Sequence, residues 1–114
     1  MGSDKQMAFG SAGMLLLKLL EQSDLYGYQM IEELARRSDH TFDLKAGTLY
    51  PLLHSLEEQG YVEVVQTEVV DGRARSYYGI TDTGRTYLKE TLEDYRQISG
   101  VFADIMRGGD TNGL

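Results

Sequence analysis

Cysteine is absent from the chain, which removes disulfides, thiolate zinc sites and cysteine nucleophiles together and fits a reducing compartment. Tryptophan is absent too, and proline occurs once, as Pro51. The longest apolar run, Met14 to Leu17, is far short of the ~20 residues of a membrane span, and the N-terminus has no basic region leading into a hydrophobic signal core. The chain therefore reads as cytoplasmic, with no membrane partner. The two histidines, His40 and His54, lie far apart, so no metal-spaced pair exists. No phosphate loop and no nucleophile-base arrangement is present, and the carboxylates lie on helical surfaces, so the expectation is a non-enzyme without metal or cofactor. Positive charge is also short. Eleven Lys and Arg against 18 Asp and Glu leave a net charge of −7, which any reading that involves DNA has to accommodate.

What is present is ordinary globular material: 114 residues, 41% hydrophobic and 10% aromatic, enough for one domain but not for a core plus an enclosed catalytic cleft. From Ser11 to Gln22 the apolar residues Met14, Leu15, Leu17, Leu19 and Leu20 crowd more than one face, as in a helix buried on two sides. After Ser23-Asp24, Tyr28, Ile31, Leu34 and Ala35 recur at three-to-four spacing and predict a second, amphipathic helix ending near Ser38. A third helix is expected from about Ala46 to Gln59, with Leu49, Leu52, Leu53 and Leu56 as its buried stripe and Gly60 closing it. Tyr61 to Val70 reads as a strand, Asp71-Gly72 as a hairpin turn and Ser76 to Ile80 as the return strand. Thr81 can cap a long last helix.

Three short helices followed at once by a hairpin suggest a winged helix domain, in which the second and third helices form a helix-turn-helix and the hairpin is the wing. The expected fold class is mainly α with a small β-hairpin, plus a long C-terminal helix. Expected boundaries are an N-terminal arm over 1–10, the winged helix over 11–80, the last helix over 81–107 and a frayed tail over 108–114.

At the residue level the chain resembles the PadR family of bacterial regulators, over roughly Ala8 to Leu92. The resemblance rests on Tyr26-Gly27-Tyr28, on Gly47-Thr48-Leu49-Tyr50-Pro51-Leu52-Leu53, on Leu56-Glu57 with Gly60, on Arg75-Ser76-Tyr77-Tyr78 and on Ile80-Thr81-Asp82-Thr83-Gly84. It implies a DNA-binding repressor of the short form, whose single last helix packs against a partner subunit, with an effector often sensed near that interface.

The leucine stripe of the third helix leaves Thr48, Tyr50, Pro51, His54 and Ser55 on or beside its exposed side. Lys45 stands at that helix's start, where a cation opposes the dipole by ~0.3–1 kcal/mol; it is either a phosphate contact or a solvated lysine. Gly47 reads as close backbone approach to a phosphate or as tight packing against the second helix. Arg73 and Arg75 at the wing can reach a minor groove or its phosphates, or form an ordinary charged hairpin. The expected DNA-binding set is thus Lys45, Gly47, Thr48, Tyr50, His54, Ser55, Arg73 and Arg75. Arg36-Arg37 suits either a phosphate or the negative end of its own helix. Strand alternation places Tyr78 with Ile80 in the core and Tyr77 outside.

The last helix carries Leu88, Leu92, Tyr95, Ile98, Phe102 and Ile105, a stripe wider than a small hairpin can cover and the expected homodimer interface. Met14, Leu17, Tyr95, Phe102 and Met106 are candidates to line a pocket for a small hydrophobic or aromatic effector; the plain alternative is core. The expected partners are double-stranded DNA with a palindromic operator and a second copy of the chain. A rival role for the same fold is protein contact without DNA, which the negative charge permits.

Overall fold

A computed structural model describes residues 12–108, and the expected arm over 1–10 and the tail beyond Gly108 lie outside the described residues. Helix α1 spans Met14–Gln22 and buries Leu16, Leu17, Leu19 and Leu20. Strand β1, only Leu25–Tyr26, leads directly into α2 over Gly27–Arg37. Helix α3 covers Ala46–Glu58, β2 covers Val62–Val70, β3 covers Arg73–Ile80, and α4 runs from Asp82 to Met106. Among the described residues these make four helices and one antiparallel sheet in the order β1-β3-β2.

One leucine-rich core joins these parts. Leu16, Leu17 and Leu20 of α1 meet Met30 of α2, Leu49, Leu53 and Leu56 of α3 and Val62 of β2, all fully buried. Apolar side chains from three helices and a strand leave water at one place, which is why short helices with little intrinsic stability persist.

The wing is built by its turn. Asp71 and Gly72 both have positive φ, 52° and 77°, the backbone of a two-residue turn whose twist matches its strands. The return strand starts at Arg73 immediately after it, three residues earlier than the sequence suggests. Register shifts between Val64 and Gln66, so Val65 is an extra residue in β2 that increases the local twist.

Helix α4 is fastened at its start. The Thr81 hydroxyl accepts from the Gly84 amide at 2.9 Å and donates to the Gly60 carbonyl, while the Thr81 amide donates to the Tyr61 carbonyl at 3.0 Å. Gly84 lies so close that a Cβ there would collide with the Tyr61 carbonyl. The rings of Tyr61 and Tyr87 stack at 4.2 Å.

Beyond this anchor the helix leaves the body, and the molecule is 66 Å long but only 30 by 29 Å across. Among the described residues no helix is long and apolar enough to cross a membrane.

Three expectations change. Tyr28, counted in the apolar stripe of the second helix, is 60% exposed, because it sits in the first turn, beyond the body that Met30 and Leu34 pack against. Leu88, expected at a subunit interface, is 2% exposed and belongs to the protomer's own core. Leu17, expected to line an effector pocket, is a fully buried residue of the protomer's core and does not line the hollow beside Met14.

Candidate nucleic-acid interface

Helix α3 divides as its leucines require. Leu49, Leu52, Leu53 and Leu56 are buried, while Lys45, Gly47, Thr48, Tyr50, Pro51 and His54 are exposed and Ser55 is half-buried. Lys45 is the N-cap residue, and its carbonyl accepts from the amides of Thr48 and Leu49 at 2.9 Å. Its side chain makes no capping bond and is exposed to solvent. Pro51 has no N–H to offer the Gly47 carbonyl one turn earlier, which leaves that carbonyl without its usual i+4 donor on the open side of the helix.

Between α3, the start of α2 and the wing lies a cleft of about 740 Å³. Tyr26, Tyr28, Tyr50, Arg73, Arg75 and Ser76 are among the residues that line it. Strand β1 pairs with β3 only at Tyr77 and Tyr78, so β3 from Arg73 to Ser76 has no strand beside it on that side among the described residues, and this bare edge forms one wall.

Tyr50 crosses to the other wall, where its ring and hydroxyl occupy the space a Cβ on Gly27 would take. Gly27 is therefore fixed by the close approach of an aromatic residue from the neighbouring helix.

Arg75 is half-buried, not a free wing cation. Its guanidinium carbon lies 4.1 Å above the centre of the Tyr26 ring, and that ring meets Tyr77 edge-on at 5.2 Å. Stacking of this kind holds the flat guanidinium in one orientation while leaving its edge N–H groups available. Tyr78, 7% exposed, has its pKa raised above the ordinary tyrosine value by burial and then by Glu57 and Tyr50, so its hydroxyl remains protonated and a donor at neutral pH.

The electrostatics are uneven. Two arginines face the single Asp71 in the cleft lining, a local excess of positive charge within a chain of net charge −7. Arg36 and Arg37 differ from the cleft arginines in being tied to a carboxylate of their own helix, since both pair with Glu33 at 2.8 Å. Hydrogen bonds from Arg36 and then Arg37 lower the Glu33 carboxyl to a pKa of about 2, so this triad stays ionised and internally paired at neutral pH.

The exposed part of α4 has a different character. Tyr95, Ile98, Val101, Phe102, Ile105 and Met106 are each 55–68% exposed. Met14 of α1 and Thr91, Asp94, Tyr95, Ile98 and Phe102 of α4 border a shallow apolar hollow of about 420 Å³. Of the expected effector-pocket residues this brings together Met14, Tyr95 and Phe102; Met106 lies further along the helix and outside the hollow. Leu92 is half-buried against the protomer's core.

Residues 16–90 match the family described as the transcriptional regulator PadR-like family. The chain belongs to the PadR-like family of transcriptional regulators. It is 37% identical over 86 residues to the transcriptional regulator Rv3488 of Mycobacterium tuberculosis, covering 75% of this chain and 74% of that one. A transcriptional regulator from Clostridium thermocellum superposes with a TM-score of 0.78 at 27% identity, over 87% of this chain and 96% of the other. A PadR family regulator from Eggerthella lenta superposes with a TM-score of 0.74 at 28% identity, over 91% and 86%. The fold of this PadR-like regulator is thus the winged helix fold expected from its sequence.

Within the PadR-like frame the expected DNA-binding residues fall into two groups. Lys45, Gly47, Thr48, His54 and Ser55 belong to α3 alone, whereas Arg73 and Arg75 belong to the cleft, and Tyr50 joins the two. Sequence reasoning did not assign Tyr26, Tyr28 or Ser76 to this surface. The signal was in the Tyr26-Gly27-Tyr28 block: a glycine between tyrosines at a helix start marks a close approach, but the approaching residue, Tyr50, is 23 positions away in the sequence.

Proposed function

We propose that two copies of this PadR-like regulator bind a palindromic DNA operator as a repressor. In this reading α3 enters the major groove, with Thr48, Tyr50, His54 and Ser55 facing base edges and Lys45 and Gly47 facing phosphates. The wing carries Arg73 to the adjacent minor groove. The observation that carries this reading is the arrangement of the exposed face of α3 beside a cleft whose charge is opposite in sign to that of the whole chain. Its negative total makes long-range steering weak, so affinity rests on short-range contacts and on two half-sites engaged together.

The second copy follows from α4. A projecting helix with six large apolar side chains more than half exposed has the composition of an interface, and a two-fold axis through Ile98, Phe102 and Ile105 covers the stripe with itself. Two α3 helices are then held at the ~34 Å spacing of one DNA turn. The hollow beside Met14, Tyr95 and Phe102 lies on this same face, so a flat hydrophobic effector seated there acts on the angle between subunits and hence on that spacing. That link accounts for release of the operator by a ligand that does not touch DNA.

Binding to the DNA upstream of the protein's own gene, measured at rising salt for wild type, Lys45→Ala and Arg73→Ala, tests the DNA reading. The expected result is preference for that DNA over unrelated sequence and a weaker salt dependence in each variant, by about one counterion per lost phosphate contact. Equal, weak and unselective binding by all three proteins contradicts it and favours the other role open to so acidic a winged helix, contact with another protein.

A further inference from the structure

The cleft between α3 and the wing has a constrained relationship to any duplex bound in this way. Adjacent major and minor grooves are separated by one sugar-phosphate strand. If α3 occupies the first and the wing tip the second, that strand has to run between them, along the bare edge of β3 from Arg73 to Ser76. The side chains that meet it there are suited to an anion: a guanidinium in fixed orientation, the hydroxyls of Tyr28, Tyr50 and Ser76, and one net positive charge.

Resting on the DNA-binding reading above, we propose that this cleft seats one backbone phosphate of the bound strand, gripped by Arg75, with Tyr26 as the residue that positions the guanidinium. Arg73, exposed at the wing tip, has no such support, so the two wing arginines have different tasks. Arg73 explores the groove, whereas Arg75 meets a phosphate in a geometry already set before DNA arrives. Pre-orientation matters because an arginine held by ring stacking loses less side-chain freedom on binding than a free one. The strand β1, only two residues long, sets up this stacking. Its register opposes Tyr26 to Tyr77, which brings the ring beside Arg75, two residues along the same face of β3.

The assignment is tested on wild type, Arg75→Gln, Arg75→Lys, Tyr26→Phe and Tyr26→Leu, with folding checked by thermal unfolding and operator affinity measured from low to high salt. Arg75→Gln should weaken operator and unrelated DNA by the same factor and lower the salt slope by about 2 for a dimer, one phosphate per subunit. Arg75→Lys should keep the slope. Tyr26→Phe should behave as wild type because it keeps the ring, and Tyr26→Leu should weaken binding while keeping the slope, because the charge remains and only its orientation is lost.

A second arm needs no variant. In operators carrying one neutral methylphosphonate in each half-site, at matching positions, one such position should reproduce the Arg75→Gln loss with the wild-type protein, and Arg75→Gln should lose nothing more on that DNA. Wild type that binds DNA while Arg75→Gln retains the full slope and no backbone position shows this behaviour overturns the phosphate seat and leaves the DNA reading intact. Wild type that fails to bind DNA at all overturns both. Saturation of the cleft by millimolar inorganic phosphate, with no methylphosphonate effect, would make it a site for a free anion and likewise overturn the assignment.

Discussion

Two glycines illustrate how one residue can serve the fold or the surface. At Gly84 an added Cβ meets the backbone carbonyl of Tyr61, and backbone tied into the α4 anchor cannot give way. At Gly27 the obstacle is the ring of Tyr50, a side chain 41% exposed that can swing outward. Gly84→Ala should therefore cost about 1–3 kcal/mol, as overpacking typically does, and lower the unfolding temperature by several degrees in a domain of this size. Gly27→Ala should leave thermal unfolding nearly unchanged while weakening operator binding, since the displaced Tyr50 enters the cleft. Melting curves and operator affinities for the two variants check both halves of this contrast; equal melting losses would contradict it.

At the scale of elements, α4 depends on its first turn. Thr81 satisfies the Gly84 amide and ties the helix to Gly60 in one side chain. Thr81→Ala should cost about 0.5–2 kcal/mol in urea unfolding, the usual effect of a lost N-cap, and Thr81→Ser should restore most of it. This cap was legible in the sequence, as were the leucine face of α3, the Asp71-Gly72 turn and the placement of Tyr78 inside and Tyr77 further out, because each follows from local periodicity or turn chemistry. Strand β1 was not: two residues give no alternating pattern, and Leu25-Tyr26 is a strand only because β3 lies beside it. Leu88 was misplaced for a related reason. Periodicity shows which residues of α4 share a face but not that the first turns of that face lie against the protomer's own core while the later turns pass beyond it. The cleft was half legible, its arginines and Tyr50 from the sequence, its other tyrosines only from the fold.

For the molecule as a whole the governing facts are a net charge of −7 and a helix that carries its apolar stripe away from the body. In the proposed reading the first makes a single copy a poor ligand for DNA, and the second is the surface through which two copies would come together. Duplication is therefore the central claim, and α4 is as necessary to it as α3. The residue with which to test it is Ile98, 68% exposed and outside the protomer's core, in contrast to Leu92, whose replacement would disturb the fold itself. The most direct measurement is fluorescence anisotropy of wild type and Ile98→Asp on DNA with two half-sites and on DNA with one, alongside sedimentation of both proteins. The account predicts a dimeric wild type that binds the double site far more tightly than the single one, and a monomeric, folded Ile98→Asp that binds both as weakly as wild type binds the single site. A monomeric wild type, or an Ile98→Asp that holds the double site as wild type does, would contradict it.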